Sequence, residues 1–208
     1  MAMFKRSAYA QRNYRTKMLL STEGSVTEPE YFNQFNSATL KVDVLHGKGK
    51  SSPSQVLRRM RQGMEQHQLR QDTGDMLWLV IDRDNWTVDE IEELRKWVDE
   101  KSNIPRALAL SNPKFEFWLL LHFDRNTTCV TARACVDKLK EFLPEYDKHL
   151  GCRFSVEQIN SAIAEAERRW GGGDIRIWPR ETGRTNVFAL CKILLRYRGI
   201  ATHKPTNP

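Results

Sequence analysis

Met76-Leu77-Trp78-Leu79-Val80-Ile81-Asp82-Arg83-Asp84 is the stretch whose reading decides the fold. Six consecutive apolar residues suit a central parallel strand buried on both faces, since a strand with one wet face would alternate. Gly74-Asp75 breaks the pattern before the run, and Asp82 and Asp84 end it abruptly. Upstream, Met18-Leu19-Leu20-Ser21-Thr22 is a second short apolar run, and it stops at Glu23-Gly24. It reads as a buried strand followed by a turn. Leu40 to His46 alternates apolar and polar residues, and Arg106 to Leu110 supplies a fourth strand.

Helical patterns fill the gaps. Pro29 to Phe35 opens a short helix, with Thr27 or Glu28 near its cap and Pro29 in the tolerated first turn. Ser52-Pro53 starts another, with Val56, Leu57, Met60 and Met64 at helical spacing. Thr87 with Glu90 three residues on is a capping box, ahead of Ile91, Leu94, Trp97 and Val98 on one face. Lys114 to Phe123 forms an apolar helix. Such alternation predicts an α/β domain with a mostly parallel sheet flanked by helices. Beyond residue 123 only helices are expected, at 131–142, 155–170 and 185–198. The chain thus divides into a basic flexible arm (1–16), an α/β core (17–125) and a helical C-terminal extension packed on the core (126–208).

Composition bounds the function. With 208 residues, 40% of them apolar, the chain can bury one sizeable core. No apolar run approaches the ~20 residues of a membrane span, and the basic start is not followed by a signal-peptide segment. Cys129, Cys135, Cys152 and Cys191 lack the close spacing of a zinc site and read as reduced thiols. A cytoplasmic protein is therefore expected. The net charge of +7 favours phosphate-bearing partners.

Functional groups in an open α/β sheet collect beyond the carboxyl ends of its strands. Glu23 follows the first strand, and Asp82 and Asp84 follow the third. If those strands are neighbours, three carboxylates converge, and hard oxygen ligands of this kind suit Mg²⁺ or Mn²⁺. Taken alone, an Asp-x-Asp after a strand is commonly a turn or helix-cap device. Glu28, Glu30 and Glu116 are second-tier candidates, Glu28 and Glu116 as metal ligands. Glu28 also matches a helix dipole, and Glu116 sits among Phe and Trp where it needs either a metal or an ion pair with Lys114. His46-Gly47-Lys48-Gly49-Lys50-Ser51 is not a nucleotide-binding P-loop, because Val44 stands where that pattern needs glycine. Lys48 and Lys50 remain candidate backbone contacts, as do Lys114, Arg180 and Arg184. Arg180 and Arg184 lie in a basic stretch interleaved with Trp178, which equally reads as a solvated face.

The segments Ser21 to Phe32, Val80 to Trp86 and Leu110 to Leu120, with Thr185-Asn186-Val187-Phe188, resemble the RloB family over nearly the whole chain. Glu-Gly after one strand and Asp-x-Asp after a later one is also similar to the Toprim fold of topoisomerases, primases and OLD-type nucleases. That resemblance implies a Toprim-like α/β domain, Glu23 as general acid or base, and Asp82 and Asp84 as the metal-binding pair. It further implies a metal-dependent nuclease of RNA (transfer RNA included) or DNA in bacterial anti-phage defence or abortive infection. A separate AAA- or ABC-type ATPase is the expected partner, and a homo-oligomer stays open. The alternative is a catalytically silent nucleic-acid-binding or regulatory subunit of a defence complex. Nothing at this length resembles the additional domains of topoisomerases or primases.

Overall fold

The computed structural model describes residues 14–49, 51–83, 86–175 and 181–200, with residues 198–200 described by backbone alone. Four parallel strands, β1 (Thr16–Thr22), β2 (Leu40–Leu45), β3 (Met76–Asp82) and β4 (Arg106–Asn112), form the sheet. A two-residue strand, β5 (Arg184–Thr185), closes the edge antiparallel to β4, giving the order β2-β1-β3-β4-β5. Most of the sequence-predicted arm, up to residue 13, lies outside the described residues, and its last residue, Thr16, already belongs to β1.

Why the β1 and β3 runs are continuously apolar is plain from the two layers they separate. Met18, Leu20, Trp78 and Val80 face one cluster, which also takes Tyr31, Phe32 and Phe35 of α1 (Thr27–Asn33) and its C-terminal turn. Leu19, Leu77, Leu79 and Ile81 face the other, built on α2 (Pro53–Gln66) and α3 (Val88–Asp99). Both faces are covered, so alternation would leave a polar side chain in a core. The first cluster is extended by α4 (Phe115–Leu120), α5 (Ala132–Phe142), α6 (Val156–Trp170) and α7 (Val187–Ile200). The C-terminal helices therefore share one core with the sheet.

The caps follow the sequence signals. Ser52 and Thr87 each form a full capping box, with Gln55 and Glu90 respectively, and Ser155 does the same with Gln158. Three expectations need correction. The helix expected over Lys114 to Phe123 is only Phe115–Leu120, because Lys114 is extended and Leu121 to Phe123 continue as turns. The helix expected from Pro29 begins two residues earlier, at Thr27. Beyond residue 123 the chain is not wholly helical: β5 pairs Ser111 with Thr185 and Asn112 with Arg184. Two residues carry no strand period, so only the long-range partner reveals it. Asn186 then binds the same edge, its Oδ1 accepting from Leu110 N–H (2.6 Å) and its Nδ2 donating to Leu108 O (3.0 Å).

Candidate active site

β2 and β3 lie on opposite sides of β1, so the connections leave in opposite directions and a crevice opens between the carboxyl ends of β1 and β3. Glu23 and Asp82 stand at that crevice. Thr22 pairs with Val80, Glu23 N–H continues the ladder to Val80 O (3.0 Å), and Asp82 N–H donates to Glu23 Oε2 (3.2 Å). Trp86 Nε1 donates to the same oxygen (3.1 Å). Arg83 holds the Trp86 turn, donating from its guanidinium to Trp86 O. Glu23 is 2% exposed, and its orientation is thus set by two N–H donors.

The turn after Glu23 needs glycine for room. Gly24 N–H donates to Glu28 Oε1 (2.8 Å), and a Cβ at Gly24 would fall on the Glu28 carboxylate. Glu28 is thereby folded back from α1 into the crevice, buried at 5% exposure. Glu116, at the start of α4, enters from the β4 side. Its Oε1 receives Tyr146 O–H (2.9 Å) and lies 3.3 Å from Lys114 Nζ, the ion pair that burial among aromatics demands. Thr27 lies 3.1 Å from the Tyr146 hydroxyl and donates to Lys148 O (2.8 Å), which docks the 146–148 loop on α1. Lys148 adopts φ +95°, the one positive φ among the described non-glycine residues. Strain of this kind collects where the surrounding structure over-determines a functional position.

These groups line one cavity of about 120 Å³, with Glu23, Glu28, Asp82 and Glu116 facing Lys114 and Lys148. Four carboxylates thus share the space with two lysines. Burial pushes the Asp82 carboxyl well above the usual range, and Glu28, Glu23 and Glu116 push it further, with Lys114 acting in the opposite sense. Glu28 is raised as well, chiefly by burial, with hydrogen bonds from backbone N–H groups opposing. Clustered hard oxygens of net negative charge fit Mg²⁺ or Mn²⁺ in donor type. Among the described residues, however, no three His, Cys, Asp or Glu side chains are already drawn together as a cage. Asp84 lies outside the described residues.

Of the basic candidates, Lys114 lines this cavity and the exposed Lys48 sits in the loop whose Gly49 borders it. Arg184 lies elsewhere, at the start of β5, and Lys50 and Arg180 are outside the described residues. Sequence reasoning missed Trp86, Tyr146 and Lys148, each brought in by a turn or loop without period. It also missed Arg59, which clamps the β2–α2 loop to the site. Arg59 Nη2 donates to Thr22 O (2.7 Å) and Nη1 to Ser51 Oγ (2.9 Å), while Ser51 N–H reaches Glu23 O (3.3 Å). No helix among the described residues is long and apolar enough to cross a membrane.

A family model described as RloB-like protein matches residues 18–194. No curated protein and no solved structure matches the chain.

Proposed function

The chain belongs to the RloB-like family, and from that membership and its acidic cavity we propose that it hydrolyses phosphodiesters in RNA or DNA, with Mg²⁺ or Mn²⁺, in bacterial anti-phage defence. The observation that carries the reading is the meeting of Glu23, Glu28, Asp82 and Glu116 with Lys114 and Lys148 at the switch point of the sheet. The Glu-Gly and Asp-x-Asp pattern, with its resemblance to Toprim nucleases, supports it.

In this reading Glu23 and Asp82 hold the cation, joined by Asp84. The cation, when bound, supplies charge stabilisation for the phosphodiester undergoing displacement. Glu23, oriented by Asp82 N–H and Trp86 Nε1–H, takes the proton of the attacking water at its carboxylate. Lys114 and Lys148 bind the phosphate oxygens, and Glu116 with Tyr146 fixes Lys114. Glu28 braces the Gly24 turn. Any coupling to ATP belongs to a separate ATPase.

Incubating purified protein with mixed RNA and DNA in Mg²⁺ or Mn²⁺, beside an Asp82→Ala/Asp84→Ala variant, tests this. Metal-dependent cutting that the variant lacks supports it and names the nucleic acid. A second reading, a catalytically silent nucleic-acid-binding subunit, draws on the lack of a ready three-residue cage among the described side chains. Toxicity on expression that disappears in Glu23→Ala favours the nuclease; unchanged toxicity favours the silent subunit.

A further inference from the structure

A second cavity, of about 470 Å³, opens beside the first and has the opposite charge. Arg168, Arg169 and Arg184 line it, with Asn126, Thr128 and Thr182 as neutral polar neighbours. Among the described residues, none of its lining side chains is acidic. Glu165 lies behind and serves two guanidiniums at once, Arg168 Nη2 at 2.6 Å and Arg169 Nε at 2.7 Å, so one carboxylate answers two cations. Arg169 is mostly buried and further tied down, donating to Thr127 O (2.9 Å) and Arg125 O (2.6 Å). The Arg168 side chain, 70% exposed, is its accessible neighbour. Arg184 pairs with the exposed Glu181, three residues before it, and a surface pair of this kind is worth little and can yield to a phosphate.

The backbone joins the two cavities. Gly183 N–H donates to Asn112 O (2.8 Å), and Arg184 pairs with Asn112 across the β4–β5 ladder. Asn112 stands two residues before Lys114 of the acidic cavity. Partners across a ladder lie ~5 Å apart and two residues of chain span at most ~7 Å, so the Arg184 and Lys114 backbones are separated by no more than ~12 Å. Helix α4 links the two: Glu116 lines the acidic cavity, and Phe117 lies beneath Arg169 of the second, with the guanidinium 5.4 Å from the ring. A polyanion with one phosphate at the carboxylates would therefore carry its next phosphates past Arg184 toward Arg168.

We propose that the Arg168–Arg169–Arg184 cleft binds the phosphate backbone of the substrate away from the cut, making the ligand a polynucleotide rather than a small phosphoester. This rests on the nuclease reading for its substrate class. Arg184 and Arg168 contact the strand, and Arg169, held by Glu165 and two carbonyls, positions the wall.

The test is fluorescence anisotropy of labelled single-stranded RNA and DNA dodecamers over a range of salt, in Asp82→Asn protein so that no strand is cut. Adding Arg168→Gln and Arg184→Gln should weaken binding on the order of tenfold and lower the salt slope by ~1.4, about 0.7 for each lost contact. Arg133→Gln, a change at a 91% exposed side chain on α5, should alter neither. An unchanged affinity and slope in the double variant would overturn the proposal while leaving the nuclease reading intact. Competition by AMP at concentrations comparable to the strand would also overturn it, in favour of a mononucleotide site. Binding that follows the prediction, beside wild-type protein that cuts neither nucleic acid in Mg²⁺ or Mn²⁺, keeps the cleft and refutes the nuclease.

Discussion

Replacing Asp82 by Asn removes an acid whose ionised form burial and three neighbouring carboxylates oppose, and the metal-free protein should gain stability as its activity disappears. Burial acts most strongly against ionised Asp82, three acids (Glu28, Glu23 and Glu116) add to it, and Lys114 acts for it. Two repulsions are left uncompensated. At an effective dielectric of ~20, charges ~8 Å apart interact by ~2 kcal/mol before solvent and salt reduce the figure. Because Asp82 is partly exposed, screening leaves ~1–2 kcal/mol for the pair of repulsions together. In a chain of this size each kcal/mol moves the melting temperature by ~2–4 °C, so the Asn variant should melt ~2–8 °C above wild type in EDTA. Magnesium should reverse the order. A ligand at a hundred times its Kd stabilises by ~2.7 kcal/mol, and only the intact carboxylate set should receive that. Differential scanning fluorimetry in EDTA and in Mg²⁺ gives both numbers. A variant melting at or below wild type in EDTA refutes the argument from mutual repulsion, and equal magnesium shifts in the two proteins refute Asp82 as a ligand.

Gly24→Ala puts a methyl group on the Glu28 carboxylate and should cost ~1–3 kcal/mol, with loss of metal-dependent cleavage. In a Glu28→Ala background the same change should cost much less, and a double-mutant cycle of thermal melts reads the coupling. Tyr146→Phe deletes the O–H donated to Glu116 and should destabilise by ~1–2 kcal/mol in urea melts, while lowering cleavage without unfolding the chain. His122 is buried, with Nδ1 against Trp118 O (3.0 Å) and Nε2 against the Tyr31 hydroxyl (3.0 Å), and burial lowers its pKa to about 4. The unfolded chain binds that proton more readily, so this contribution to stability is complete above pH ~6.5 and is lost as pH falls toward 4, by up to ~1.4 kcal/mol per unit. Urea melts at pH 7.5 and 5 should show the loss in wild type and a flattened difference in His122→Gln.

The sheet was legible because burial on both faces leaves a trace that chemistry cannot hide. Leu77, Leu79 and Ile81 feed one core while Trp78 and Val80 feed the other, so no polar residue interrupts the run. Glu23 and Asp82 were legible for a related reason: each ends an apolar strand, and adjacency of β1 and β3 does the rest. Glu116 announced itself as an acid among aromatics, and the lysine at its side was foreseeable. Tyr146 and Lys148 were not, because their place depends on a loop more than a hundred residues from α1. Only the docking of Thr27 on that loop shows it. β5 was illegible on similar grounds, since its two residues acquire meaning only from Ser111 and Asn112.

The C-terminal part is therefore more than a cover for the sheet. From the loop after α5, Lys148 lines the acidic cavity and Tyr146 holds its Glu116, while Arg168 and Arg184 build the basic cleft from α6 and β5. Both contributions converge on α4, whose first turn holds Glu116 and whose next residue, Phe117, lies beneath Arg169. Every residue of this six-residue helix is buried, so it cannot shift without disturbing both cavities. The consequence is testable by packing alone. Phe117→Leu, a change that leaves every carboxylate in place, should loosen the Arg169 wall and weaken strand binding while costing ~1–2 kcal/mol of stability. Unaltered strand binding in a folded Phe117→Leu protein would show that the two cavities do not share this wall in function.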